Sequence, residues 1–154
     1  MTSELNESAA LNVAGTAHAD DLAESAWLAA RSLVLDLYDR RAEVTEALGM
    51  SFIRAKALLK LTGGPMTMRE LAAALATDPP YTSVVVDDLH QRGLLERTVH
   101  PSDRRAKVVT ITPAGRKTAK AASLIINEPP PALRSLSVDD LKALNRILSQ
   151  LLDS

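Results

Sequence analysis

The chain has no cysteine, which excludes a disulfide framework, a thiolate zinc site and a cysteine-based redox sensor, and which fits a cytoplasmic protein. Aromatic residues are nearly as scarce: one Trp, two Tyr and one Phe in 154 residues. A surplus of one charge sign is also missing, because 18 basic and 19 acidic side chains leave no uniform field to attract a polyanion or a membrane surface. No apolar run approaches the ~18 residues of a membrane span. The amino terminus lacks the basic region and unbroken apolar core of a secretion signal. Nowhere is there a nucleophile with a paired base, a Gly-rich phosphate loop or metal-hydrolase spacing, so no enzyme is expected. His18, His90 and His100 are scattered, without the carboxylate and histidine clustering of a metal site, and neither a metal nor a cofactor is expected.

Residues 1–19 are small, polar and acidic, with too few large apolar groups to offset the entropy of ordering them, and are expected to form a flexible tail. The remainder, 20–154, is long enough for one domain with its own core. Charge within it is segregated. From Gln91 to Lys120 there are eight basic residues (Arg92, Arg97, Arg104, Arg105, Lys107, Arg116, Lys117 and Lys120) against Glu96 and Asp103, whereas the first thirty residues hold five acids and no Lys or Arg. Such segregation makes a local basic patch on a nearly neutral molecule.

Leu22, Ala26, Ala29, Leu33 and Leu37 recur at helical spacing and predict a helix over about 20–39. A second, over about 50–62, turns Phe52, Ala55, Leu58, Leu59 and Leu61 inward and stops at Gly63-Gly64-Pro65. Thr67 stands three residues before Glu70 in capping-box spacing and starts a short helix over about 67–76. Asp78 as N-cap and Pro79 as first helical residue start another, over 79–92, ended by Gly93. Two capped helices joined by a tight turn make a helix-turn-helix. Leu94 to Val99 and Lys107 to Ile111 are strand-like, with turn chemistry at Pro101-Ser102-Asp103, so a hairpin follows whose tip carries Arg104 and Arg105. Thr112-Pro113 starts a further helix to about Ile126, and Ser137 with Asp140 starts the last, whose stripe of Leu141, Leu144, Ile147, Leu148, Leu151 and Leu152 is broad enough for a core or a partner helix. The expected class is mainly α with a small β-hairpin (α+β): a winged helix-turn-helix over about 50–112 with flanking helices over about 20–39, 113–127 and 137–153.

A helix-turn-helix beside an arginine-tipped loop is a shape for gripping duplex DNA, one part per groove. If Thr82, Val85, Val86 and Leu89 face inward on the 79–92 helix, then Pro80, Tyr81, Ser83 and Val84 face the major groove; Tyr81 and Ser83 offer hydroxyls and Val84 offers methyl groups. Thr67, Arg69, Thr82 and Lys107 are the candidate phosphate contacts, Thr82 in spite of its place on the inner stripe. Asp87 and Asp88 would repel phosphates unless paired with Arg92 or the wing, and are read as structural charges.

Met66-Thr67-Met68-Arg69-Glu70-Leu71-Ala72, then Asp88-Leu89-His90-Gln91-Arg92-Gly93-Leu94-Leu95-Glu96-Arg97, then Asp103-Arg104-Arg105 with Thr112-Pro113-Ala114-Gly115 downstream, resemble the MarR family of bacterial winged-helix transcription regulators. The resemblance spans about 22–152. It implies an obligate homodimer whose first and last helices interlock, presenting two winged lobes to operator DNA. It assigns Arg105 to the minor groove with Asp103 as its support, and makes Arg104 a phosphate contact or a substitute for Arg105. It also implies release by a small aromatic or lipophilic effector, for which Trp27, Tyr38 and Phe52 on the first two helices are the candidate lining. The expectation is a cytoplasmic, nucleoid-associated repressor. The competing reading is a winged-helix module that binds another protein without specific DNA binding, and the basic wing, which such a module does not require, separates the two.

Overall fold

The structure, a computed structural model, describes residues 18–99, 102 and 106–153. They fall into two units divided between Asp39 and Arg40. The first is a helix, α1, over 18–32, which widens at its end into one π-helical turn over Leu33–Leu37, where the Tyr38 N–H donates to the Leu33 carbonyl at 3.0 Å. The tail expected over 1–19 lies outside the described residues except for 18 and 19, which are already helical.

The second unit is built around α3 (Phe52–Leu61). Ala55, Ala57, Leu58 and Leu61 on this helix are buried, and its partners are α4 (Met68–Leu75), α5 (Pro79–Gln91), α6 (Pro113–Ile126) and a small sheet. The main cluster joins Leu58 and Leu61 to Leu71, Leu75, Val85, Val86, Leu89, Leu95, Val109 and Ala119. Each large side chain taken out of water in this way contributes about 1.5–3 kcal/mol before entropy is counted. Phe52 belongs to a second cluster with Val44, Ala55, Ala122 and Ile125.

Two elements lie outside the sequence expectation. Helix α2 (Arg41–Leu48) precedes α3; it has no side-chain N-cap bond, and Val44 is its sole fully buried residue, so neither a start signal nor an apolar stripe marks it. Strand β1 (Met66–Thr67) adds a third member to the expected hairpin of β2 (Leu95–Val99) and β3 (Lys107–Ile111), in the antiparallel order β1-β3-β2. Met66 pairs with Val109 and Thr67 with Val108, while β2 and β3 run in register from Leu95 opposite Ile111 to Val99 opposite Lys107. A two-residue strand is too short for any periodicity to reveal.

The capped starts are as the spacing predicts. Thr67 Oγ1 accepts from the Glu70 amide and Glu70 Oε2 accepts from the Thr67 amide at 2.7 Å; Asp78 Oδ1 accepts from the Tyr81 amide at 2.7 Å; Thr112 Oγ1 accepts from the Gly115 amide at 3.0 Å. Ala76, at φ 55, makes the left-handed turn between α4 and α5, and Gly93, at φ 70, closes α5. After a short α7 (Pro131–Arg134), Ser137 caps α8 (Val138–Leu152), which buries none of its residues fully and exposes Val138, Ile147, Leu148, Leu151 and Leu152. Among the described residues no helix is long and apolar enough to cross a membrane.

Gly115 is where α6 presses on the turn before β2. A Cβ there would lie 2.0 Å from the Leu94 carbonyl oxygen and 2.7 Å from Ile111 Cγ1, and the first of these is backbone that cannot step aside. We expect Gly115→Ala to destabilise the fold by about 1–3 kcal/mol or more, as overpacking does, read as a lowered urea midpoint. An unchanged midpoint would refute the close approach.

Candidate nucleic-acid interface

Three chain segments meet on one face of the second unit: the start of α4, the start of α5 and the first residues of β3. Arg69 joins them. It lines one open cleft of ≈ 470 Å³ with Met68, Ala72, Pro79 and Ser83, and another of ≈ 440 Å³ with Thr67, Met68, Ala106 and Lys107. Arg69 and Lys107 are both exposed, and neither forms an ion pair with a described residue. Two unneutralised cations beside two helix N-termini form a face that attracts anions.

Helix α5 divides its sides cleanly. Thr82, Val85, Val86 and Leu89 are fully buried, while Pro80, Tyr81 and Val84 are exposed, Tyr81 by 44% and Val84 by 53%. Ser83 is half-buried and its hydroxyl donates to the Pro79 carbonyl at 3.1 Å.

Two of the expected phosphate contacts need correction. Thr82 is buried, with its hydroxyl donating to the Asp78 carbonyl at 2.8 Å and lying 2.9 Å from Thr77 Oγ1, so its side chain braces the helix-turn-helix turn and meets no phosphate. Thr67 directs both its N–H and its Oγ1–H to Glu70 Oε2, at 2.7 and 2.9 Å, so its donors serve the capping box. Among the described residues of this face, Arg69 and Lys107 are the exposed cations with no ion pair. Asp103, Arg104 and Arg105 at the wing tip lie outside the described residues.

The acidic residues of α5 are neutralised by partners that the sequence only half reveals. Asp87 accepts from Arg97 on β2, which ties the helix to the wing strand. Asp88 accepts from Arg54 Nε on α3 at 2.7 Å and from Arg92 Nε on α5 itself at 2.8 Å; Arg92 also donates to the Gly49 carbonyl at 3.2 Å and Arg54 to Ser51 Oγ at 2.7 Å. Arg92, four residues on, was readable as an i,i+4 partner. Arg54, 34 residues earlier in the chain, left no local signal. Together these bonds hold the carboxyl-terminal half of α5 to both α3 and β2.

Of the candidate effector residues, Trp27 and Tyr38 belong to the 18–39 unit, where Trp27 is 68% exposed and Tyr38 half-buried. Phe52 is half-buried in the second core cluster. None of the three lines the clefts beside α4 and α5.

Partial burial opposes the charge on Asp88, but the hydrogen bonds and positive charges of Arg54 and Arg92 outweigh it and hold the carboxyl below the ordinary aspartate value. A depressed folded-state pKa gives stability that is complete above the unfolded value of about 3.9 and is lost as pH falls through the lower folded value. We expect Asp88→Asn to cost about 1.5–3 kcal/mol at neutral pH, the scale of hydrogen bonds to a charged group. The gap from the unsubstituted protein should close in acid; a gap constant from pH 7 to pH ~2 would show that the carboxylate charge contributes nothing.

The comparisons with known proteins agree with this geometry. The sequence profile of the MarR family matches residues 48–106, from the end of α2 to the residue before β3. The HTH-type transcriptional regulator BilQ of Clostridium symbiosum is 38% identical over 86 residues, 55% of this chain; the chain spans 60% of the length of that relative. A crystal structure titled probable transcriptional regulator, from Pseudomonas aeruginosa, is 31% identical with a TM-score of 0.55, covering 73% of this chain and 87% of its own. A MepR variant from S. aureus, solved bound to an oligodeoxyribonucleotide, shares the fold at 24% identity and a TM-score of 0.55, covering 72% of this chain and 83% of its own. None of these relatives is named as an enzyme. Residue spacing, the winged helix-turn-helix fold and the profile match over residues 48–106 converge on one conclusion: this chain belongs to the MarR family.

Proposed function

We propose that this protein is a sequence-specific double-stranded DNA-binding transcriptional regulator that works as a homodimer. The observation that carries the reading is the joining of the exposed amino-terminal turns of α5 with the unpaired Arg69 and Lys107 on one face. The helix enters the major groove with Pro80, Tyr81, Ser83 and Val84 foremost, while the cations bind phosphate. Arg105 is the proposed minor-groove residue, with Asp103 as its support and Arg104 as a phosphate contact or its substitute. The DNA-bound state of the MepR variant supports this choice over a protein-docking module.

Dimerisation is inferred from unspent apolar surface. Helix α8 exposes Ile147, Leu148, Leu151 and Leu152, and the 18–39 unit exposes Leu22, Trp27, Leu28, Val34, Leu35 and Leu37. Apolar faces of this kind are rarely left in water, and a second copy of the chain supplies matching ones. The dimer spans a roughly two-fold operator with half-sites about one helical turn apart and represses by blocking promoter access. Binding of a small aromatic or lipophilic molecule releases it. The site of action is the cytoplasm, on the nucleoid.

Two measurements test the reading. In gel-shift titrations we expect Arg105→Ala to weaken operator binding by about 1–3 kcal/mol, and Lys107→Ala to reduce the slope of log affinity against log salt by about 1. Failure to bind duplex DNA, or binding indifferent to salt, would favour the protein-docking alternative. Sedimentation should give a dimer; a stable monomer at micromolar concentration would overturn the two-lobed arrangement.

A further inference from the structure

The amino-terminal half of α5 carries no charge. From Pro79 to Val86 the chain reads Pro, Pro, Tyr, Thr, Ser, Val, Val, Val, and the first charged side chain, Asp87, is engaged by Arg97. Guanine is read in the major groove chiefly by Arg or Lys and adenine by Asn or Gln, and none of these occurs in this stretch. Thr82 is buried and the Ser83 hydroxyl has a backbone partner, which leaves Tyr81 and Val84 as the principal exposed contacts.

Val84 has only methyl groups to offer. The one apolar feature that a base edge presents in the major groove is the C5-methyl of thymine. A β-branched residue on the solvent side of a helix costs helix propensity with no core burial in return. Its side chain is stiff at χ1, so little rotamer entropy is lost on contact. Tyr81, three residues earlier on the same helix, adds an exposed hydroxyl, and Arg69 lines a cleft with Pro79 and Ser83.

We propose that Val84 is a specificity-determining residue that reads the methyl group of one thymine in each half-site, so that the operator is recognised at this position by apolar contact. The inference rests on the DNA-binding reading above and deepens it.

The test uses deoxyuridine, which keeps thymine's pairing but lacks the C5-methyl. A duplex selected from a random library by the full-length protein is resynthesised with each thymine in turn replaced by deoxyuridine, and binding is measured by fluorescence anisotropy. One thymine per half-site should show a loss of about fourfold, the worth of one methyl group leaving water. Val84→Ala should bind the thymine and deoxyuridine duplexes alike, and Val84→Ile, which retains the apolar surface, should keep the preference. If no thymine is sensitive to the replacement, or if Val84→Ala retains the full penalty, the proposal is overturned while the DNA-binding reading stands. If no duplex is selected at all, both fall.

Discussion

A helix that buries Thr82, Val85, Val86 and Leu89 has no freedom in what it turns outward, and most of the interface follows from that constraint. With 3.6 residues per turn, an inner stripe at i, i+3, i+4 and i+7 leaves Pro80, Tyr81 and Val84 on the opposite side. Rotating α5 to present other residues would expose two valines and a leucine and break the hydrogen bonds of Thr82 to Asp78 and Thr77. The packing that stabilises the second unit is therefore also what aims its outward surface.

The ion pairs refine that aim. Asp87 bonded to Arg97, and Asp88 bonded to Arg54 and Arg92, remove two negative charges from a helix that has to approach a polyanion, and they join it to α3 and β2. The more exposed of them, Asp87 with Arg97, is of a kind that contributes little to stability on average. Their value here is positional: they fix the wing strand relative to the helix. Arg69 and Lys107, free of such pairing among the described residues, remain available to phosphate.

The sequence and structure agree best where signals are local. The starts of α4, α5 and α6 were legible because a cap, a first-turn proline or a capping-box glutamate acts within three or four residues of the backbone group it satisfies. Helix α2 was not legible, since Arg40 makes no side-chain cap and Val44 is its one fully buried residue; its burial comes from α3 and α6, which occur later in the chain. Strand β1 exists because β3 arrives beside Met66 and Thr67, more than forty residues on. Thr67 and Thr82, the two threonines expected at phosphate, illustrate the same gap. Their hydroxyls looked available in sequence and are occupied in the fold, one by burial and one by the cap it forms.

Residue order alone was enough for the helix-turn-helix, the hairpin and the family resemblance, because propensity, capping and apolar periodicity are short-range and survive in a one-dimensional reading. Which polar groups stay free for a ligand and which are consumed internally was settled by folding. Arg54 and Asp88 are 34 positions apart, and Arg92 and Gly49 are 43 apart, yet they bond at 2.7 and 3.2 Å. Contacts at such separations follow from how the core packs, and no local rule of spacing encodes them.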